Sequence, residues 1–219
     1  MCRSLVSIVI VLSLLLAGCA SNYRVVEIPQ READMYPDSQ TRDGLTIAID
    51  EMRGSTRAQQ YFGANLIRAG ILPVSIIVSN HGEQRVAIKP ADILLQRGRD
   101  IVDPVPLQTV IAIAQDQRVF LRKRTRESVE SFFRSIAFTE TVLQPNETYQ
   151  GVMFFSNPRP RRRDDRYFSV WSLFEQGGPR MRVAVTEMDS QDRVHFGPFS
   201  LAAPQSSRSW ARWAAFERY

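Results

Sequence analysis

The chain has 219 residues, 28 basic against 23 acidic side chains, a formal charge of +5, and only two cysteines, Cys2 and Cys19. So few thiols, one of them ahead of the apolar opening run and one just behind it, exclude a disulfide-stapled scaffold and a cysteine-based metal cage. The modest charge excess says little about partners, but a chain that opens with an export signal is not expected on nucleic acid.

Arg3 provides the positive start of that signal, and Leu5 to Ala17 is thirteen residues of almost unbroken Leu, Val and Ile. A helix of that length covers about 20 Å, short of a hydrocarbon core of about 30 Å. A charged start, a short apolar centre and small residues at its end describe a secretory signal rather than a membrane span.

Leu16-Ala17-Gly18-Cys19 resembles the lipobox of bacterial lipoproteins at all four motif positions. The resemblance implies a signal peptide over residues 1–18, cleavage between Gly18 and Cys19, diacylglycerol on the Cys19 thiol, and acylation of the new amino terminus. Several acyl chains at about 0.8 kcal/mol per buried CH₂ hold a protein where one chain alone is marginal. In the sorting pattern of enteric bacteria, Asp after the cysteine retains a lipoprotein in the inner membrane. Ala20 and Ser21 follow here, which implies the outer membrane and a domain facing the periplasm. Removing residues 1–18 takes away Arg3 alone and leaves 27 basic against 23 acidic residues, a balance of +4.

Residues 19–44 are mainly polar without sustained periodicity and read as the lipidated start and a tether. Residues 45–219 are long enough for one domain with its own core. Leu45 to Ile49 alternates like a strand. Ala58, Phe62, Leu66 and Ala69 follow at helical spacing, with Gly70 as the expected stop. Leu72 to Ser79 is β-branched and strand-like, Asn80 to Glu83 offers a turn, and Arg85 to Lys89 is the expected hairpin partner. A second hairpin is expected from Ile93–Gln96 and Asp100–Val102 around Arg97-Gly98-Arg99. Pro106 suits the first turn of a helix through Val110, Ile111 and Ala114, while VIAIA also reads as strand; both remain open.

After the basic segment RKRTRE, strands are expected again near Ile136–Val142, Thr148–Phe155, Tyr167–Phe174, Met181–Glu187 and Val194–Leu201. Short strands with antiparallel turn chemistry predict a mainly β fold, an antiparallel β-sandwich with one or two inserted helices. YFGANLIRAGILPVSIIVSN and LQPNETYQGVMFFSNP resemble segments of immunoglobulin-like β-sandwich domains in bacterial envelope lipoproteins. That is a likeness of fold, and a fold does not supply an activity.

Chemistry-bearing residues are sparse. His81 and His195 are the only imidazoles, and no G-x-S-x-G elbow or H-E-x-x-H pair is present. No catalytic residue, metal ligand or cofactor is therefore assigned. Asp189 and Asp192, and the sequon Asn146-Glu147-Thr148, read as turns. The function expected is a non-catalytic binding or scaffolding module; the alternative is an envelope hydrolase or lipid-handling enzyme built on carboxylates that sequence alone does not pair. Expected partners are the membrane, through the lipid on Cys19, and an envelope protein or anionic lipid.

Two further segments stand out. NPRPRRRDDR, residues 157–166, carries five arginines, partly neutralised by Asp164 and Asp165. It reads first as a solvated loop and second as an anion clamp through Arg159, Arg161, Arg162 and Arg163. SRSWARWAAFERY suits a short helix at 209–217 capped by Ser209, with Trp210, Trp213 and Phe216 expected to pack back on the domain or, alternatively, to meet an interface.

Replacing Arg159, Arg161, Arg162 and Arg163 by Gln is expected to weaken binding to lipopolysaccharide-containing vesicles and flatten its salt dependence, with the melting transition unchanged. Vesicle co-sedimentation at low and moderate salt checks this; identical binding by both proteins would leave the loop as a solvated connection.

Overall fold

The computed structural model describes residues 26–117, 123–158, 168–170, 173–174 and 178–203. Cys19 and Gly18, the arginines from Arg159 to Arg163, and the expected helix at 209–217 lie outside the described residues. Among the described residues the fold is mainly β, with two main antiparallel sheets and three α-helices, so the sandwich expected from the sequence is present.

The first sheet has the order β1 (Gln40–Arg42), β2 (Leu45–Glu51), β3 (Leu72–Asn80) and β8 (Glu147–Phe155). β3 is buried along its whole length, as its run of Val and Ile requires. It pairs with β2 from Leu45↔Asn80 to Glu51↔Val74, and with β8 from Leu72↔Phe155 to Asn80↔Glu147. The two segments with immunoglobulin-like resemblance thus meet as neighbouring strands.

The second sheet is built on β11 (Arg180–Glu187). β12 (Arg193–Ser200) lies along one side; on the other, β5 (Ile93–Arg97) pairs with the first half of β11 and β4 (Val86–Ile88) with its end. β6 (Asp100–Val102) extends β5, and β7 (Thr141–Leu143) extends β4. β9 (Asn157–Pro158) and β10 (Phe168–Ser169) form a separate small pair. Of the strand expected at Tyr167–Phe174, β10, residue 170 and residues 173–174 are described.

The expected hairpin between β3 and β4 is not formed. Asn80 to Arg85 instead carries the chain from the first sheet to the second, and Gln144 to Asn146 carries it back. Both crossings close on Asn80, whose side chain is 1% exposed. Its Nδ2 donates to the carbonyls of Gln84 at 2.8 Å and Gln144 at 3.1 Å, and its Oδ1 accepts from Gly82 N–H at 3.1 Å. Asn146 N–H donates to the Asn80 carbonyl at 2.6 Å, and His81 N–H to that of Gly44 at 2.8 Å. Gly44 has φ of 78°, and a Cβ there would lie 2.8 Å from Gly82 Cα. Backbone approach this close needs glycine.

Helix α1 (Ser55–Phe62) is shorter than its pattern suggests, because Gly63 takes a left-handed φ of 61° and ends it. Leu66 and Ile67 still reach the core from the turns that follow. The VIAIA ambiguity resolves as helix α2 (Leu107–Asp116), which buries Val110, Ile111 and Ala114. A third helix, α3 (Lys123–Ile136), begins within RKRTRE and ends at Ile136, where a strand was expected to begin; that strand starts instead at Thr141. Its buried Val129 and Phe133 are four residues apart, a helical spacing overshadowed by the polar start of the segment. Phe62, Phe133 and Phe154 pack with ring centroids 5.9–6.0 Å apart and clamp α1 and α3 onto β8. Each such pair contributes about 0.5–1.5 kcal/mol beyond its burial.

Residues 26–44, expected within the tether, carry structure of their own. Val26 N–H donates to the Gln60 carbonyl of α1 at 3.0 Å. Ala33 is fully buried against Ala48 and Ile77, and its N–H donates to Ser79 Oγ at 2.9 Å. β1 then joins the edge of β2. The polar outer face of β2 and β3 provides hydrogen-bonding partners that composition alone did not reveal.

Asn80→Ala removes one side chain's bonds to both crossings and leaves buried carbonyls unpaired. A loss of about 2–3 kcal/mol is expected, seen as a fall in Tm of roughly 5–10 °C in thermal denaturation. A change within the scatter of surface substitutions would contradict this role for Asn80.

Candidate functional site

The sandwich has two chemically different poles, because β2 and β3 run between them. At one pole β2 ends at Glu51 and α1 begins; at the other β2 starts beside Asn80.

At the α1 pole a groove of about 490 Å³ is lined by Gln59, Asn65, Arg68 and Gln117. An adjoining hollow of about 250 Å³ shares Gln59 and Asn65 and adds Ser55, Thr56 and Gln60. Gln117, at the end of α2, pins the loop after α1: its Oε1 accepts from Asn65 N–H at 2.9 Å and its Nε2 donates to the Asn65 carbonyl at 3.2 Å. Asn65 Oδ1 in turn accepts from Arg68 N–H at 3.0 Å. The lining is rich in amides and hydroxyls, with the exposed Arg68 at its rim. Such a surface suits hydrogen bonding to phosphate, carbonyl or hydroxyl groups.

The flank of α1 is held by Asp50 and Arg57, which form a two-point ion pair, with the Arg57 guanidinium 5.6 Å from the Tyr61 ring centre. The bond to Asp50 keeps Arg57 above its ordinary pKa. Burial, helped by the nearby Asp50 carboxylate, pushes the Tyr36 hydroxyl up. Glu51, partly buried at the end of β2, is also pushed above its ordinary value by burial, although its Oε1 accepts from Ala202 N–H at 3.3 Å.

The opposite pole has a hollow of about 420 Å³ where Asp43, Glu83 and Glu187 gather beside Asn80. Glu187 Oε2 accepts from Ser190 Oγ at 2.9 Å. These three carboxylates come from the β1–β2 turn, the β3–β4 crossing and the end of β11, so their sequence spacing carried no signal. The same holds for Gln59, Asn65, Arg68 and Gln117, which are united only where the loop after α1 is bonded to Gln117 at the end of α2.

The two histidines are not brought together. His81 lies in the crossing loop with its Nε2 3.8 Å from a Glu32 carboxylate oxygen, while His195 is exposed on β12 opposite Ala184. Asp189 pairs with Arg85 at 3.3 Å in the β11–β12 connection, and Asn146 occupies a left-handed turn position with φ of 64°. No group of three or more potential metal ligands is found among the described residues. Near the basic stretch RKRTRE, residues 118–122 lie outside the described residues, and Arg126 is exposed on α3.

Fold and surfaces together define an antiparallel β-sandwich with three inserted helices and shallow polar hollows at both ends. No family model and no curated protein matches the chain. Among solved structures, a Bacillus subtilis protein described as a "putative lipoprotein" (ycdA) is 12% identical over 84% of this chain and 42% of its own, with a TM-score of 0.37. A FixG-related protein from Vibrio parahaemolyticus is 8% identical over 70% of this chain and 92% of its own, with a TM-score of 0.33. The chain thus spans about 42% of the Bacillus protein, and neither protein's role is carried over to it.

The raised pKa of Glu51 has a definite sign. The folded state holds this proton more tightly than the unfolded state, so the carboxyl's contribution is most favourable below its ordinary value of 4.5 and declines as pH rises through the folded value. Glu51→Gln keeps an acceptor for Ala202 N–H without titrating. The variant is expected to be more stable than the wild type at neutral pH, with that advantage shrinking in acid. Thermal melts across acid and neutral pH check this; a constant difference between the two proteins would contradict it.

Proposed function

We propose that this protein is a lipid-anchored lipoprotein of the bacterial cell envelope, held at the outer membrane facing the periplasm, and that its sandwich serves as a non-catalytic binding or scaffolding module. The observation that carries the reading is Leu16-Ala17-Gly18-Cys19 placed directly after a short apolar signal. Several acyl chains at Cys19 hold the domain without a protein span. Among the described residues no helix is long and apolar enough to cross a membrane. The amide-rich groove at the α1 pole supports a binding role, since its groups donate and accept hydrogen bonds from a rigid frame.

The alternative, a carboxylate-dependent hydrolase or lipid-handling enzyme, would be built at Asp43, Glu83 and Glu187. An envelope hydrolytic activity lost in Glu187→Gln with the fold intact would favour it.

Cys19→Ser is expected to abolish incorporation of radiolabelled fatty acid and to leave an uncleaved or mislocalised precursor. Metabolic labelling with gel analysis measures both effects. Equal labelling of the two proteins would sink the lipoprotein reading.

A further inference from the structure

The two outer faces of the sandwich are finished differently. Over the first sheet the outward residues are covered: Asp50 is paired with Arg57 of α1, Ala48 and Ile77 lie under Ala33, and Phe154 lies under Phe62 and Phe133. The chain coming from Cys19 joins this covered side, because Val26 N–H donates to the Gln60 carbonyl of α1. Only seven positions separate Cys19 from Val26, a reach of at most about 25 Å even when fully extended. In the second sheet Ile93, Leu95, Met181, Val183 and Val185 fill the core, so the residues that alternate with them point outward.

The strand register sets those outward residues in rows. Arg182 stands opposite Leu94, Arg180 opposite Gln96, and Gln96 opposite Ile101. Further along β11, Thr186 stands opposite Ala87, and Ala87 opposite Val142. Leu94, Ile101 and Val142 are three of the five large hydrophobic residues left exposed among the described residues. Single exposed apolar side chains are ordinary, whereas several on one open face mark an interaction surface. Arg180 and Arg182 are exposed beside them. Arg97 and Arg193, on neighbouring strands, are paired with Asp100 and Asp92, but Arg180 and Arg182 have no ion-pair partner among the described residues. No outward position on β4, β5, β6, β7 or β11 carries a carboxylate.

We infer that the outer face of the second sheet is a docking surface for an acidic segment of a partner protein, whose carboxylates meet Arg180 and Arg182 and whose apolar side chains pack on Leu94 and Ile101. A guanidinium binds a carboxylate at two points, and unpaired cations on a face without acids fix the sign of the partner's charge. Two observations favour a protein over an anionic bilayer. The exposed apolar residues are aliphatic, whereas a membrane interface favours Trp and Tyr. The chain from Cys19 also reaches the domain on its opposite, helix-covered side, so a domain anchored there turns this face away from the lipid. Naming the partner's chemistry in this way deepens the binding-module reading and rests on it, at a surface other than the α1 groove and without requiring lipid on Cys19.

The test probes an array of short random peptides with the full-length protein. Bound peptides are expected to be enriched in Asp and Glu together with Leu, Ile, Val or Phe. The double variants Arg180→Gln/Arg182→Gln and Leu94→Ser/Ile101→Ser are each expected to bind them about tenfold more weakly, with Tm unchanged because all four side chains are exposed. An array without binders, binders that are neutral or basic, or undiminished binding by both variants would overturn the docking surface. Gln59→Ala/Arg68→Ala, in the α1 groove, is expected to keep the peptides; if it alone releases them, the binding module stands and the sheet face is overturned. The same sheet variants are tested for flotation with phosphatidylglycerol vesicles and for mass by light scattering. Loss of vesicle binding or a change in oligomeric state, with peptide binding intact, would make the occupant a bilayer or a second copy and overturn the proposal.

Discussion

The carboxamide of Asn80 stands where three connections meet: the turn from β1 into β2, the crossing from β3 to β4, and the return from β7 to β8. A buried amide in this position is favourable only when both its donor and its acceptor sides are used, since an unpaired buried polar group costs about 1–3 kcal/mol. Here the donor side serves Gln84 and Gln144 while the acceptor side serves Gly82. The two sheets are thereby fixed to each other at one end, and the tight Gly44–Gly82 approach follows from the same closure.

With that end tied, packing on the outer face of the first sheet decides the character of the other. The packed rings of Phe62, Phe133 and Phe154 hold α1 and α3 over β8, while Ala33 and Tyr36 lie over Ala48 and Ile77. α1 is further locked by Asp50 and Arg57. The groove between α1 and the end of α2 therefore has a rigid floor, which lowers the entropy lost when its amides engage a ligand or a surface. The outer face of the second sheet is treated differently. Leu94, Ile101, Arg180 and Arg182 remain exposed there, mixing apolar and cationic groups on open strands.

A two-pole domain on a short leash gives physical content to the proposed scaffolding role. A long free tether would let the domain rotate and expose every face equally. Because the trace is bonded to α1 from Val26 onward and wraps the first sheet before β1, the residues between Cys19 and the fold are few. Orientation then becomes a property of the fold rather than of the linker.

Much of this architecture was legible in the chain. The β-branched run at Leu72–Ser79, the Gly-containing connection at 97–99 and the alternation at Met181–Glu187 mark strands because strand geometry is written in local residue type. The helix at Lys123–Ile136 was less legible, since its apolar positions Val129 and Phe133 follow an opening of charged residues. Pairing was not legible at all: Asn80-His81-Gly82-Glu83 has the chemistry of a hairpin turn, yet it links two sheets. Whether a turn closes a hairpin or spans a sandwich depends on which strands compete for each edge, and β8 takes the side of β3 that β4 would have used. The sequence by itself determined the strand-rich class and the apolar opening run with its Leu-Ala-Gly-Cys ending, because these depend on residues close together in the chain. Only tertiary structure decided that Gln59, Arg68 and Gln117 share a groove, that Asp43, Glu83 and Glu187 share a hollow, and that both described ends of the chain lie beside α1. Those relations join residues far apart in the chain, and long-range packing alone brings them together.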